Sequence, residues 1–402
     1  MHPSRRPMRA LSLVVAVGVL IGLGTTAASA DDPVFPTWGQ VQAAKANAAA
    51  KAAEVKKIAG IIATLQSQAA AAGKAALLAG EVYLEAKDAL ASATATATKL
   101  SSQAKKASAK AKASSREAGQ LAAQFARAGH GNLSLDLVLN QHDAGGLLEM
   151  LGTMSKLSET SARIFASAEQ DHKTANALSD QAVVAKTIRS TKASQAQTAL
   201  DAANAASAAA TAKVNSQTAQ MSLLTSQLAS LNGTSASIEE AYYAGVAWEA
   251  KQAAKTTPPP DGTPPGPIPG VPIGSKVAAA IAFAQAQLGK PYQLNGAGPS
   301  VWDCSGLTLK SYAAAGVNIG THSSTNQYNT LKAENRLVPL SDRLPGDLLW
   351  YSDGGSTSAT KYHVTIYIGN GQMIEAPYPG VNVRVAAVRF GDLVPFAGRP
   401  TG

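Results

Sequence analysis

The sequence predicts an α+β domain at the C-terminus, preceded by a long α-helical coiled-coil hairpin. Three observations carry that expectation. Apolar residues recur at alternating spacings of three and four through residues 31–255, prolines crowd residues 256–274, and helix patterns give way to strand patterns in residues 275–402. A chain of 402 residues is long enough for two or three such units.

Residues 1–30 read as a secretory signal peptide. Arg5, Arg6 and Arg9 form a basic start, Leu11 to Leu23 is an uncharged apolar run, and Ala28-Ser29-Ala30 supplies small residues for cleavage after Ala30. The alternative is an uncleaved anchor, for which the run is short against a span of about 20 residues. Arg5-Arg6 also raises a twin-arginine signal, but the residues that follow do not fit that pattern.

Residues 31–255 are poor in structure breakers and rich in Ala, Lys, Gln and Ser. Val55, Ile58, Ile62 and Leu65 keep the spacing of a coiled-coil seam, as do Met221, Leu224, Leu228 and Leu231. Alanine is the best helix former and lets helices approach closely. The pattern is interrupted at Gly129-His130-Gly131-Asn132 and at Gly145-Gly146, with the apolar Leu133 to Leu139 between. Helical spacing resumes with Leu147, Leu151, Met154 and Leu157, so two antiparallel arms are expected to meet at an apolar tip. That tip is either a partner site or a set of leucines packed on one another.

Residues 256–274 hold Pro258-Pro259-Pro260, Pro264-Pro265, Pro267, Pro269 and Pro272, a density that favours an extended, semi-stiff linker. Residues 275–402 then make one core-sized unit. A helix is expected from a Ser275 cap to Leu288 with Gly289 as its stop, and a second from Cys304 to Gly316. Strands are expected at Leu348 to Tyr351, His363 to Ile368, Gln372 to Ala376, Val381 to Val388 and near Leu393 to Ala397.

The net charge is +9 and the pI about 9.4. The excess lies in scattered Lys of the Ala-rich region, without an Arg and aromatic patch, so a nucleic-acid partner is not indicated. An anionic cell envelope would attract the same charge. The chain has one cysteine, Cys304, which in an exported protein is a free thiol, an intermolecular bridge or a nucleophile.

Its neighbours favour the nucleophile. Trp302-Asp303-Cys304-Ser305-Gly306-Leu307 sets the thiol in the first turn of a helix, where unpaired N–H groups and the helix dipole favour thiolate, and Asp303 suits the N-cap. A thiolate needs a base, and only His322 and His363 of the six histidines fall in this domain. Alternation puts Val364, Ile366 and Ile368 on one strand face and His363, Thr365 and Tyr367 on the other, so His363 can reach a helix start packed there. His322 lies in the polar stretch Thr321 to Asn326, lining the cleft or facing solvent. Glu375 is the expected orienting group. A three-residue Gly369-Asn370-Gly371 loop puts it opposite Thr365 and diagonal to His363, whereas a two-residue loop would turn it away.

On these residues the stretch from about Lys276 to Pro400 resembles the NlpC-type family of cell-wall cysteine peptidases. The matching motifs are Gly289-Lys290-Pro291-Tyr292, Asp303-Cys304-Ser305-Gly306-Leu307, Pro345-Gly346-Asp347-Leu348 and His363-Val364-Thr365-Ile366-Tyr367-Ile368-Gly369, in order. The resemblance implies a papain-like fold with Cys304 as nucleophile, His363 as base and Glu375 as the third, variable polar residue. It also implies Tyr292 near the thiolate and Asp303 and Ser305 on the amino end of a substrate peptide, with no metal or cofactor. Leu294-Asn295-Gly296 and His322 depart from the commoner family residues at the cleft rim. The Ala-rich arms resemble those of secreted envelope hydrolases of high-GC Gram-positive bacteria, where a coiled coil restrains or recruits the enzyme.

The expected function is therefore a secreted or cell-wall-associated endopeptidase cutting peptidoglycan stem peptides at the D-glutamyl–diamino acid bond, with a membrane division or transport complex as a partner for the tip. The rivals are an amidase or acyltransferase on the same scaffold, a non-catalytic coiled-coil adaptor, and an enzyme held inactive by its own arms.

Overall fold

A computed structural model describes residues 38–45, 48–128, 144–233 and 276–402. The expected signal peptide, the apolar tip at Leu133 to Leu139 and the proline-rich linker lie outside the described residues.

Three helices build the arm: α1 (Trp38–Lys45), α2 (Ala48–Ala128) and α3 (Ala144–Asn232). At 1.5 Å per residue, the 81 residues of α2 and 89 of α3 make rods each longer than about 120 Å. Gly145-Gly146, expected as an interruption, sits in the first turn of α3, where glycine costs little. The helices run antiparallel along most of their length. At the base, Ile58, Ile62 and Leu65 of α2 pack on Leu224, Leu228 and Leu231 of α3, with Val41 of α1 closing the cluster. Further out the seam is alanine: Ala168, Ala175, Ala182, Ala196, Ala203 and Ala210 keep a seven-residue repeat and are all buried. Such a repeat holds one stripe against the partner helix, while the small side chains bury little area per turn. Among the described residues, no helix is long and apolar enough to cross a membrane.

The C-terminal domain packs α4 (Lys276–Gln285), α5 (Cys304–Ala314) and α6 (Ser324–Ala333) with a six-stranded antiparallel sheet. Its strands are β1 (Leu337–Pro339), β2 (Leu348–Tyr351), β3 (His363–Gly369), β4 (Gln372–Glu375), β5 (Arg384–Ala387) and β6 (Leu393–Gly398), in the order β1-β6-β2-β3-β4-β5. All of β2, and β3 from His363 to Ile368, are buried, so the alternation expected for β3 does not separate an inner face from an outer one. Helix α4 stops three residues earlier than expected, and turns carry the chain to Gly289 at φ +81°. Helix α6 and strand β1 have no counterpart among the expected elements.

The β3–β4 turn differs from the expected loop, with the expected consequence. Gly369 pairs with Gln372, leaving a two-residue Asn370-Gly371 turn at φ +52° and +71°. An irregularity between Tyr367 and Gly369 then shifts the register by one, so Ile366 faces Ile374. Continued one step, that register sets Glu375 across from Thr365, on the side of His363.

Candidate active site

Cys304 opens α5. Asp303 is extended at φ −106°, ψ 176°, and its Oδ1 accepts the Gly306 N–H at 2.7 Å, which caps the helix. A Cβ on Gly306 would collide with the Gly296 carbonyl oxygen, so only glycine lets the loop before the helix close this tightly. The Cys304 Sγ lies 3.6 Å from Ser324 Oγ at the start of α6. The Val364 backbone N–H favours the thiolate, yet burial, with the nearby Asp303 carboxylate adding, pushes the thiol well above its ordinary range. Desolvation thus opposes the thiolate that the helix start favours.

His363 begins β3, directly before the residue whose N–H reaches the thiol. Its Nε2 lies 2.8 Å from Glu375 Oε2, and both side chains are buried. A carboxylate only accepts, so Nε2 carries the hydrogen and Nδ1 holds the lone pair. No hydrogen-bond partner meets that buried Nδ1 among the described residues. Burial lowers the imidazole's affinity for a proton, and Glu375 opposes it. Burial alone would raise the Glu375 carboxyl, but Arg389, His363 and Arg384 hold it well below the usual carboxylate range.

The remaining expected residues gather at the same place. Tyr292 is half-buried, and burial pushes its phenol well up, with Cys304 and Asp303 near enough to add to the shift. Asp303 and Ser305 are buried, and Ser305 Oγ donates to Asp303 Oδ1 at 3.2 Å. His322, expected to line the cleft or face solvent, sets Nε2 2.7 and 2.9 Å from the two Asp303 oxygens. Among the described residues, no group of three His, Cys, Asp or Glu is placed to hold a metal ion.

The arm covers this site. Glu81 of α2 is buried, and its Oε1 accepts Ser323 Oγ–H at 2.6 Å and Thr325 N–H at 2.8 Å. Its Oε2 accepts the Ser324 N–H at 3.1 Å. The carboxylate thus occupies the N-terminus of α6, beside the Ser324 hydroxyl that meets the Cys304 thiol. Leu77 joins the hydrophobic core of the C-terminal domain, and Leu78 packs against it. Lys74 Nζ reaches Asp353 Oδ1 at 2.6 Å and Asp392 Oδ2 at 2.8 Å. Thr321 hydrogen-bonds Asp88, and Lys87 reaches Asn295 Oδ1 at 2.7 Å. Two glycines make the approach possible. A Cβ at Gly73 would lie 2.6 Å from the Tyr378 ring, and one at Gly80 would lie 2.8 Å from Leu294 Cδ1. Between α2 and the domain a cavity of about 380 Å³ remains, lined by Lys74, Leu77, Tyr362, His363 and Arg389 among others.

Sequence reasoning missed Glu81, Ser324, Arg384 and Arg389. Glycine alone was no signal for the docking stretch of α2: Gly73 and Gly80 face the C-terminal domain, but Gly60 and Gly119 of the same helix face open space.

The NlpC/P60 family model matches residues 289–398, so the C-terminal domain is of that family. The peptidoglycan endopeptidase RipA of Mycobacterium tuberculosis is 41% identical over 132 residues, which are 30% of this chain and 26% of that protein. RipA of Mycolicibacterium smegmatis is 37% identical over 155 residues, 35% of this chain and 29% of that protein. The matched stretch thus spans between a quarter and a third of those relatives. Among solved structures, the peptidoglycan hydrolase RipB of Mycobacterium tuberculosis is 28% identical, covering 46% of this chain and 84% of that one, with a TM-score of 0.27.

Proposed function

We propose that this NlpC/P60 domain is a cysteine endopeptidase acting on peptidoglycan stem peptides, with Cys304 as nucleophile, His363 as general base and acid, and Glu375 as the residue that orients His363. The observation that carries the reading is the buried His363–Glu375 hydrogen bond, with Cys304 at a helix start meeting the backbone N–H of Val364, the residue after His363.

The Cys304 proton passes to His363 Nδ1, and the thiolate attacks the amide carbonyl. The Cys304 backbone N–H stabilises the oxyanion, and the C–N bond breaks as His363 protonates the leaving amine. Water, deprotonated by His363, then attacks the thioester, releasing the acid and restoring the thiol. The bond between the D-glutamate side chain and the diamino acid is the one this reading selects, with Tyr292, Asp303 and Ser305 receiving the amino end of the acyl half.

The reading includes export and a division of the chain into a signal peptide (1–30), an Ala-rich coiled coil (31–255), a linker (256–274) and a peptidase (275–402). It also includes an apolar tip that meets a membrane division or transport complex. A second reading adds to it, favoured by Glu81: the arm holds the enzyme closed, because its carboxylate and Leu77 stand where a stem peptide would enter.

Mass spectrometry of stem peptides incubated with the full chain, with Glu81→Ala and with Cys304→Ala tests both. The expected products are a peptide ending in D-glutamate and one beginning with the diamino acid. They should accumulate faster with Glu81→Ala and not at all with Cys304→Ala. Cleavage by Cys304→Ala would remove the nucleophile assignment. Release of a sugar–peptide bond would favour an amidase, and equal rates with and without Glu81 would sink the closed-arm reading.

A further inference from the structure

The third member of the line has supports of its own. Glu375 accepts from Arg389 at both oxygens, Nη1 to Oε1 at 2.9 Å and Nη2 to Oε2 at 2.6 Å. Arg384 reaches Oε1 at 3.1 Å from Nε and at 3.0 Å from Nη2. With His363 Nε2 on Oε2, the carboxylate meets a donor in nearly every lone-pair direction, and only one orientation of its plane satisfies them all.

Arg389 is itself fixed. Its guanidinium lies 5.0 Å from the centre of the Tyr351 ring, and its backbone N–H donates to Tyr351 Oη at 3.3 Å. Tyr351 pairs with His363 across β2 and β3, and the two rings lie 5.6 Å apart. Imidazole, phenol and guanidinium are therefore tied together, with Glu375 bonded to the first and last. Arg384 differs: its side chain is 43% exposed against 28% for Arg389, and it holds only one oxygen. Other charged groups near this cluster are Lys74 of α2 and Asp392, which line the same cavity and pair with each other, and Arg343, which acts on Tyr351; the titratable Cys304 thiol lies at the start of α5.

We infer that Arg389 is a positioning residue for the proposed reaction: gripping both oxygens of Glu375, it keeps that carboxylate turned to accept from His363 Nε2–H, leaving Nδ1 to exchange a proton with Cys304. The inference rests on the Cys304, His363 and Glu375 reading above. A lone glutamate at the end of a strand has three side-chain torsions and would otherwise sample several rotamers, most of which release the imidazole. A planar fork removes that freedom where the point charge of a lysine cannot.

The test compares wild type, Arg389→Met, Arg389→Lys and Arg384→Met, all in the full chain. Stem-peptide kinetics are followed across pH, and the His363 ring by nitrogen NMR, assigned with His363→Gln. In Arg389→Met, kcat should fall about tenfold to a hundredfold with KM nearly unchanged, the size usual for residues that orient a catalytic group. The acid limb of kcat/KM and the NMR titration of His363 should both move to higher pH, since a cation that disfavours imidazolium is gone. The fraction of neutral ring protonated at Nε2 should drop. Arg389→Lys should recover part of the rate, and Arg384→Met should change it by less than Arg389→Met. The NMR arm reports even while the arm covers the site. Wild-type kcat with an unmoved His363 titration in Arg389→Met would overturn the inference. Should that variant not fold, the same result in Arg389→Lys would do so. Activity in Cys304→Ala would instead overturn the reading beneath it, so the two failures are distinguishable.

Discussion

Glu81 and Glu375 are both buried carboxylates on one cleft, and they differ in every electrostatic respect. Glu375 meets two guanidiniums and an imidazole and is held well below the usual carboxylate range. Glu81 meets a hydroxyl and two backbone N–H groups, and burial pushes it up to about 7 against them. Neutral dipoles do not replace the water a carboxylate loses, whereas full opposite charges do. One carboxylate therefore belongs permanently to the domain. The other is brought to the cleft by α2 and has no opposite charge among its hydrogen-bond partners.

The largest break in that contrast is Glu375→Gln. It leaves Arg389 without its counter-charge in a mostly buried setting, a change that costs about 3–5 kcal/mol when one partner of a buried pair is removed. Thermal unfolding should show the loss, and turnover of stem peptides should fall at least about a hundredfold as His363 loses its anionic acceptor.

Changing pH comes next, and it separates the two residues by sign. Glu81 has a raised pKa when docked, so its contribution to docking is complete below about 4.5 and is lost as pH rises through about 7. That window is worth about 3 kcal/mol. Glu375 has a depressed pKa, so its contribution is present above its ordinary carboxylate range and is lost only in strong acid. Hydrogen exchange at the Ser324 and Thr325 amides, corrected for intrinsic rate, should speed up by about tenfold to a hundredfold between pH 5 and pH 8. Protection that rises with pH would break the comparison.

Removing the Glu81 side chain is a smaller perturbation. Glu81→Ala strips an acceptor from the start of α6 at a cost of about 1–2 kcal/mol, typical of a lost cap. Below about pH 7, where Glu81 contributes to docking, alkylation of Cys304 should then accelerate by about tenfold. An unchanged rate would mean that Leu77, Lys74 and Asp88 suffice to hold the arm.

A smaller effect, and the sharpest, is expected of Gly73→Ala. Alanine should strengthen the isolated helix by about 1 kcal/mol, yet its Cβ meets the Tyr378 ring near the ring's attachment, which cannot yield without moving the loop. Cys304 alkylation should rise a few-fold while helix content holds. Gly80→Ala meets the flexible end of Leu294 and should do less.

Much of this was legible along the chain. The three-and-four spacing marked the hairpin seam, and Ile58, Ile62, Leu65, Leu224, Leu228 and Leu231 are indeed its buried base. Asp303 was readable as a cap because a short carboxylate before a helix start has one obvious acceptor role. The β3–β4 register came out as expected, though through a two-residue turn and a bulge rather than a three-residue loop. Helix α6 was not legible: Ser-Thr-Asn-Gln-Tyr-Asn-Thr-Leu-Lys-Ala has two large apolar side chains, too few for a visible stripe. Its cap was there in Ser323, whose Oγ accepts the Asn326 N–H at 3.0 Å. Arg384 opens the edge strand β5 and Arg389 follows it, and no local pattern marks either as a partner of Glu375.

The sequence by itself determined the helical arm, two of the three helices and five of the six strands of the C-terminal domain, the place of Cys304 at a helix start and the strand that carries His363. Each of these depends on residues within a few positions of one another, and local spacing and capping act at that range. Only the tertiary structure decided that α2 lies across the cleft, that Glu81 sits on α6 more than 240 positions away, and that two arginines surround Glu375. A carboxylate is exposed, paired or merely buried according to what folds against it, and no local pattern records that.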